Sequence, residues 1–498
     1  MLGKNTDRNQ AYEFVLLDDL VPDDHLVRKL EKHIDFQFIY DLVEPLYCKD
    51  NGRPSIDPVV LFKMVFISYL FGIRSMRRTV EEVRLNMAYR WFLGLRISEP
   101  VPHFSTFGKN YERRFKNTTV FQDIFDEIVR QALAHDLIDA EEFFTDSTHL
   151  KANANKKKFN KGHVHKDAKK YTKELIEEIN AERKRLGKAP LDDDYDDDET
   201  PPTSSGENGE RELKERKVSR TDPESGYLYR PGKPEGFYYL EHRTVDGKAN
   251  VIIDSHVTPG NVHDTQPFIE RVHSIHQRFG FWPKVFALDA GYVSNEISHF
   301  LVSNEIYAVF GYKRKGAMKG AKGYPKKRFL YVAMHDYFVC PEEKLLTYRN
   351  IRKDGLKEYR PDRGVCQSCP QKNACLSPSQ KTKLLTRHLW ENAYDTITDN
   401  KRSAYGKNLY RRRGETVERS FADSKELHTL RYIRYRGLKK ATMQTLLTSA
   451  CQNMKKIANY LDRRDGSVVV SKAIRRFFAI ISNIFDLKSK TPIHVACG

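Results

Sequence analysis

The chain has 498 residues, enough for several domains and a large buried core. Lys and Arg number 85 against 67 Asp and Glu, a formal net charge of +18, which directs attention to polyanions, either nucleic acid or an anionic membrane surface. No apolar run reaches the length of a membrane span: the stretch 468–487 is broken by Lys472, Arg475 and Arg476, and MLGKNTDRNQ lacks a signal-peptide core, so the cytoplasm is the expected location.

Residues 1–138 read as helical. Asp57-Pro58 opens VVLFKMVFISYLFG, whose apolar residues fill most of a helix surface; Gly72 and Ile73 interrupt it, and SMRRTVEEVRLNMAYRWFLG resumes the helical period. HFSTFGKNYERRFKN and VFQDIFDEIVRQALAHDLI predict two more helices, the first capped by Ser105 or Thr106. Short helices with short turns suit a helix-turn-helix DNA-binding unit, and equally any helical bundle.

From Glu141 the pattern changes to strands: EFFTDSTHLKANA, FYYLEHRTVD and KANVIIDSHVTPG, with Asp246-Gly247 as a hairpin signal between the last two. A helix over DTQPFIERVHSIHQRFG, a strand KVFALDAGY, a helix NEISHFLVSN and a strand IYAVFGYK follow, which describes a mixed α/β sheet flanked by helices. Two stretches are expected to stand outside it. Residues 158–235 are highly charged and include LDDDYDDDETPPTSSGENGE, read as solvated chain rather than as a metal site at Asp192 to Asp198. Residues 313–404 carry a basic run (Lys313, Arg314, Lys315, Lys319, Lys322, Lys326, Lys327, Arg328) and most of the cysteines. Beyond 401, one or two helices are expected around a basic turn near Gly437, with Met443, Leu446, Leu447, Ala450, Met454, Ile457 and Leu461 as a core stripe.

Acids inside strand signals need compensation by hydrogen bonds, a cation or a metal. Asp146 lies within EFFTDSTHL and Asp289 ends the apolar run of KVFALD; neighbouring strands would set them side by side. Glu418 falls in RRRGETVERSFADSK, with Lys425 seven positions on and hence on the same helix face. Taken singly, each acid is as well explained as an edge residue or half of a surface ion pair; together they suggest a shared divalent-cation site.

The segments GRPSIDPVVLFKMV, TDSTHLKANANK, VTPGNVHDT, LDAGY and YRRRGETVERSFADSKE together resemble the DDE transposases of bacterial insertion sequences, which have a ribonuclease H-like catalytic fold. The resemblance implies Asp146, Asp289 and Glu418 as the catalytic triad, holding two Mg²⁺ (or Mn²⁺) ions that assist cleavage at the transposon end and attack of the freed 3′-hydroxyl on target DNA. The family's Tyr-x2-Arg-x3-Glu-x6-Lys pattern fits Tyr410, Arg413 and Lys425, but four residues separate Arg413 from Glu418, which leaves Glu415 as a rival third acid. Lys425, Tyr410, Arg413, Arg411, Arg412, Arg431 and Arg434 are the expected DNA contacts, with Arg436, Tyr432 and Tyr435 nearby. His149 and His263 are expected to position chain rather than act as bases.

The implied organisation is an N-terminal helical, DNA-binding domain at 1–138; a catalytic domain from 139–157, 236–312 and 405–440; insertions at 158–235 and 313–404; and C-terminal helices at 441–498. Among seven cysteines, Cys340, Cys366, Cys369 and Cys375 are crowded together, which argues against a secreted disulfide scaffold. Cys366-x2-Cys369 is a half-site for structural Zn²⁺, with an iron–sulfur cluster or unligated thiols as alternatives. Pairing two DNA ends implies at least a homodimer. A nuclease on the same fold and a catalytically dead DNA-binding descendant remain the competing readings.

Overall fold

The computed structural model describes residues 14–48, 55–165, 173–191, 213–229, 234–312, 323–377 and 380–489. The N-terminal part is helical: α1 (Leu26–His33), α2 (Phe38–Val43), α3 (Pro58–Leu70), α4 (Met76–Leu85), α5 (Met87–Phe92), α6 (Ser105–Asn110) and α7 (Val120–Ala134). The start of α3 follows the sequence closely. Pro58 occupies its first turn, and the Asp57 carboxylate accepts from Val59 N at 2.7 Å and Val60 N at 3.2 Å. Nearly every residue of α3 is buried. Its lysine, Lys63, is tolerated there because Nζ meets Glu31 at 2.6 Å and lies 4.8 Å from the centres of the Phe36 and Phe92 rings. The expected cap at Ser105 or Thr106 is not found. Both lie inside α6, and His103 Nδ1 instead accepts from Ser105 N at 3.3 Å.

The main sheet begins with β1 (Glu142–Lys151). An excursion follows: β2 (Phe159–His165), α8 (Lys173–Arg185), β3 (Leu213–Ser219) and β4 (Gly226–Leu228). Then come β5 (Gly236–Asp246), β6 (Ile252–Pro259), α9 (Phe268–Phe279), β7 (Val285–Leu288), α10 (Asn295–Ser303) and β8 (Tyr307–Phe310). The order is β6-β5-β1-β7-β8: an antiparallel meander of β1, β5 and β6, then β7 parallel to β1 and β8 parallel to β7. This is the mixed sheet expected. The hairpin at Asp246-Gly247 is present but longer than a two-residue turn. Asp246 accepts from Lys248 N at 2.9 Å and Ala140 N at 3.0 Å, and Asn250 takes the left-handed conformation at φ 58° before β6 starts.

The excursion 158–235 departs from expectation. Its β4 pairs with β5 and so belongs to the sheet, while β2 and β3 form a separate two-stranded ribbon. Leu175 and Ile179 of α8 pack on Ile351 and Trp390, which supplies the apolar area that composition alone seemed to lack. The acidic run Asp192 to Asp198 lies outside the described residues, as do Lys313, Arg314, Lys315, Lys319 and Lys322 of the basic run. The second excursion holds β9 (Leu330–Val332), β10 (Tyr337–Val339), β11 (Leu345–Ile351), β12 (Leu356–Arg360), α11 (Lys372–Cys375) and β13 (Leu385–His388). The five strands form an antiparallel sheet, order β13-β12-β11-β10-β9.

The chain closes with α12 (Glu391–Arg402), α13 (Ala404–Arg412), α14 (Val417–Glu426) and α15 (Leu438–Ser489). Packing of α12 against β8 and α10 makes it part of the main sheet's cover, so the excursion ends before the expected 404. The turn into α15 is at Gly437, φ 90°, as expected. The expected core stripe is buried throughout, and α15 packs on α1, α3, α7 and β6 at once. One continuous apolar core therefore joins Val27, Phe62 and Ile128 of the N-terminal helices to Ile252 of the sheet and Met454 of α15. The segments 1–138 and 441–498, expected as separate domains, share that core with the sheet.

Candidate active site

Parallel pairing of Thr145 with Leu288 places Asp146, next on β1, beside Asp289, which follows β7. A third acid, Glu418, sits in the first turn of α14. All three reach one guanidinium: Arg413 Nη2 lies 2.8 Å from Asp146 Oδ2, and Nη1 lies 3.5 Å from Asp289 Oδ1 and 3.8 Å from Glu418 Oε1. The acids differ in setting. The Asp146 side chain is 18% exposed, Asp289 44% and Glu418 55%. Burial pushes the Asp146 carboxyl up to about 6, against the pull of Arg413, while the neighbouring Asp289 and Glu418 charges add to the rise. Burial alone would lower the Arg413 pKa, but the surrounding acids, Asp146 foremost, hold it above its ordinary value.

The extra residue between Arg413 and Glu418 has a structural explanation. Arg413 caps the C-terminus of α13, and 414–416 form a turn before α14 starts. The two residues thus sit on different helices, and the break absorbs the added position. Glu415 lies exposed in that turn, whereas Glu418 faces Arg413. One helical face of α14 carries Glu418, Phe421 and Lys425; Lys425 Nζ donates to Thr148 Oγ1 on β1 at 2.6 Å.

What holds α14 in place was not read from sequence. Arg243, on β5 directly opposite Asp146, is fully buried. It donates to Glu241 Oε1 at 2.6 and 3.0 Å, to Ser420 O at 3.0 Å, to Ser420 Oγ at 2.8 Å and to Ser424 Oγ at 2.9 Å, and its guanidinium stacks 4.6 Å from the Phe421 ring centre. The signal was available: Glu241 and Arg243 alternate with His242 and Thr244 in a central strand, where a pair of charges requires mutual compensation. Arg243→Met is expected to destabilise the fold by about 3–5 kcal/mol, because Glu241 is left charged and unpaired in the core; urea titration measures it, and a midpoint like that of the parent would refute the role.

The opposite face of the sheet joins two of the motifs read from sequence. Asp264, from VTPGNVHDT, accepts from Ser147 Oγ at 2.6 Å. A Cβ on Gly291, in LDAGY, would lie 2.3 Å from Asp264 Oδ2, so a larger residue there would displace that carboxylate from the turn that presents Asp289. His149 and His263 have local partners: His149 Nε2 lies 3.2 Å from Gly260 O, and His263 Nδ1 lies 2.9 Å from Thr265 Oγ1.

The expected DNA contacts divide. Arg411 and Arg431 are exposed, Arg431 in an ion pair with Glu426. Arg412 is tied to Glu142 and to Gly247 O, and Arg434 donates to Ser68 Oγ at 3.1 Å and Thr429 Oγ1 at 2.6 Å. Arg413, 3% exposed, is directed at carboxylates rather than outward, and Tyr410 accepts from it at 3.2 Å. Arg412, Arg413 and Arg434 thus each have protein partners. Lys326 of the basic run is likewise engaged, by Glu391 at 2.6 Å.

Cys340, Cys366, Cys369 and Cys375 line one small cavity at the edge of the five-stranded sheet. Burial raises the Cys375 thiol pKa, and the three other thiols add to the rise. Among the described residues, the three-ligand grouping with metal-like spacing is Glu174, Glu178 and His299, not these thiols.

A family model described as a transposase domain (DUF772) matches residues 15–113, and one described as a transposase DDE domain matches residues 339–458, which include Glu418 and the four cysteines. No curated protein matches the chain. A solved piggyBac transposase synaptic complex with hairpin DNA is similar at 10% identity and a TM-score of 0.32, covering 89% of this chain and 74% of that one, a likeness too weak to carry an argument. Among the described residues no helix is long and apolar enough to cross a membrane. One model described as a transposase domain thus lies over the N-terminal helices, and one described as a transposase DDE domain lies over the helices that bring Glu418 to the sheet.

Proposed function

We propose that Asp146, Asp289 and Glu418 are the catalytic acids of an insertion-sequence transposase and hold two Mg²⁺ or Mn²⁺ ions. The observation that carries this reading is the convergence of all three carboxylates on the single Arg413 guanidinium, from β1, the turn after β7 and α14. The donor set fits: hard carboxylate oxygens, one of them largely buried, suit such cations. Bound there, the ions would act as Lewis acids on the attacking and leaving oxygens of an in-line displacement.

The chain's residues then have distinct tasks. Asp146 is the rigid donor, fixed in mid-strand with Oδ1 accepting from Ser147 N at 2.8 Å. Asp289 and Glu418 are the exposed donors on the substrate side. Arg413 offsets the charge of the three acids and holds them together. Lys425, next to Thr148, lies within one helical face of Glu418 and takes the phosphate flanking the reacting one. In the first reaction a water oxygen bonds to phosphorus and the P–O3′ bond at the element's end breaks; the proton leaves to solvent and the 3′-oxygen departs as a hydroxyl. In the second, that 3′-oxygen bonds to a target phosphorus and the target's own 3′-oxygen leaves. The protein works in the DNA-bearing cytoplasm, at least as a homodimer on paired ends.

A strand-transfer assay with labelled end DNA tests this reading. Joined products are expected; purely hydrolytic products would favour a nuclease on the same fold, and no reaction would favour a dead descendant. The four-cysteine cavity is read as a structural Zn²⁺ site that closes around the ion. Elemental analysis of purified protein should find about one zinc per chain, with Cys366→Ser reducing it; zinc-free, equally stable protein would exclude the site.

A further inference from the structure

The β2–β3 ribbon interrupts the sheet directly after the strand that carries Asp146. Residues 151–165 and 213–220 hold nine Lys or Arg against one acid, Glu215. Glu235, just outside the ribbon, meets Lys217 at 3.4 Å, so the surface is strongly basic in excess rather than purely basic. Lys156, Lys157 and Lys158, in the approach to β2, are exposed, as are Lys161 on it and Arg220 just after β3.

The ribbon is not a loose appendage. Arg220 N donates to Lys158 O at 3.0 Å, and Asn155 N to Thr221 Oγ1 at 3.0 Å. Asp222, buried just beyond β3, accepts from Tyr239 OH at 2.8 Å and Gly437 N at 3.0 Å, which ties the ribbon's base to β5 and to the turn before α15. A second basic segment runs beside it. Lys151 N donates to Arg431 O at 3.3 Å, Ile433 N to Lys151 O at 2.9 Å, Asn153 Nδ2 to Arg434 O at 2.8 Å, and Arg436 Nε to Asn153 O at 3.2 Å. Along β1 the order is therefore Asp146, then Thr148 with Lys425, then Lys151 beside Tyr432 and Arg431, then the ribbon. At about 3.3 Å per residue, Asp146 to Lys151 spans about 17 Å, half a helical turn of duplex.

We propose that the β2–β3 ribbon, continued by the 431–436 segment, is a docking track for duplex DNA leading away from the three carboxylates, gripping backbone phosphates without reading sequence. This rests on the reading of those carboxylates as a DNA-cutting site. The backbone that carries its charges is tied to the sheet, so phosphates along about half a turn or more would be held in register with the reacting one.

The test is affinity of the full-length protein for a random-sequence duplex of roughly 40 bp, about four helical turns, across a salt series. The triple variant Lys156→Gln, Lys157→Gln, Lys158→Gln is expected to lose about tenfold or more in affinity, and its slope of log affinity against log salt should fall by about 2–3. A second variant, Lys161→Gln with Arg220→Gln, should show a smaller loss of the same kind, and triple Lys→Arg should restore the parent slope. Parental affinity and slope in both Gln variants would overturn the track. Asp146→Asn separates the two readings: it should keep the DNA affinity whatever cutting does, so continued cutting by Asp146→Asn sinks the carboxylate site while leaving the affinity comparison of the lysine variants intact.

Discussion

Asp146→Asn is expected to abolish end cleavage and strand transfer, by about 10³-fold or more, while leaving DNA affinity and fold in place. The substitution keeps size and most hydrogen bonding but removes the one acid held in a strand, and with it the proposed anchor for cations that would supply several kcal/mol of charge stabilisation to each displacement. Glu418→Gln should do the same, since α14 is fastened by Arg243 and Phe421 rather than by Glu418 itself. Cleavage of labelled duplex under single-turnover conditions measures both. Residual cutting at a tenth of the parent rate by either variant would remove that acid from the catalytic set.

Arg413→Gln is expected to have the second largest effect, and its sign depends on divalent cations. In metal-free buffer the variant leaves Asp146, buried, beside two further carboxylates with no cation among them. Removing one partner of a buried ion pair costs about 3–5 kcal/mol, and with Arg413 only 4% exposed, solvent does little to soften that. If the three acids hold the proposed cations, the guanidinium competes with them for the same carboxylates, so its removal should tighten metal binding. Thermal unfolding against Mn²⁺ concentration reads both effects: Arg413→Gln should melt lower than the parent without Mn²⁺ and gain more from its addition. A variant that melts like the parent and ignores Mn²⁺ would show that the guanidinium and the cations do not share a place.

Much of this architecture is written locally. The cap at Asp57, the alternation through β1, β5 and β6, and the apolar runs before Asp289 and Gly311 all depend on neighbours in sequence, so the positions of these strands and the start of α3 follow from them. Residues 313–404 were harder: the strands β9 to β13 are three to seven residues long and mix charged with aromatic side chains, leaving no sustained period to read. The excursion 158–235 misled in the other direction, since its low apolar content is offset by a partner, the Ile351–Trp390 surface, that lies far along the chain.

The site divides in the same way. Sequence by itself determined which acids stand out, because a carboxylate inside an apolar strand is anomalous wherever it occurs, and it determined that Glu418 and Lys425 share a helix face. Only the tertiary structure decided that Arg413 turns inward to the acids, that Arg412 and Arg434 are spent on Glu142, Gly247, Ser68 and Thr429, and that a basic ribbon continues the line of β1. The reason is physical: a charge's role is set by whichever opposite charge or dipole lies within a few ångströms, and most of those neighbours come from segments more than a hundred residues away.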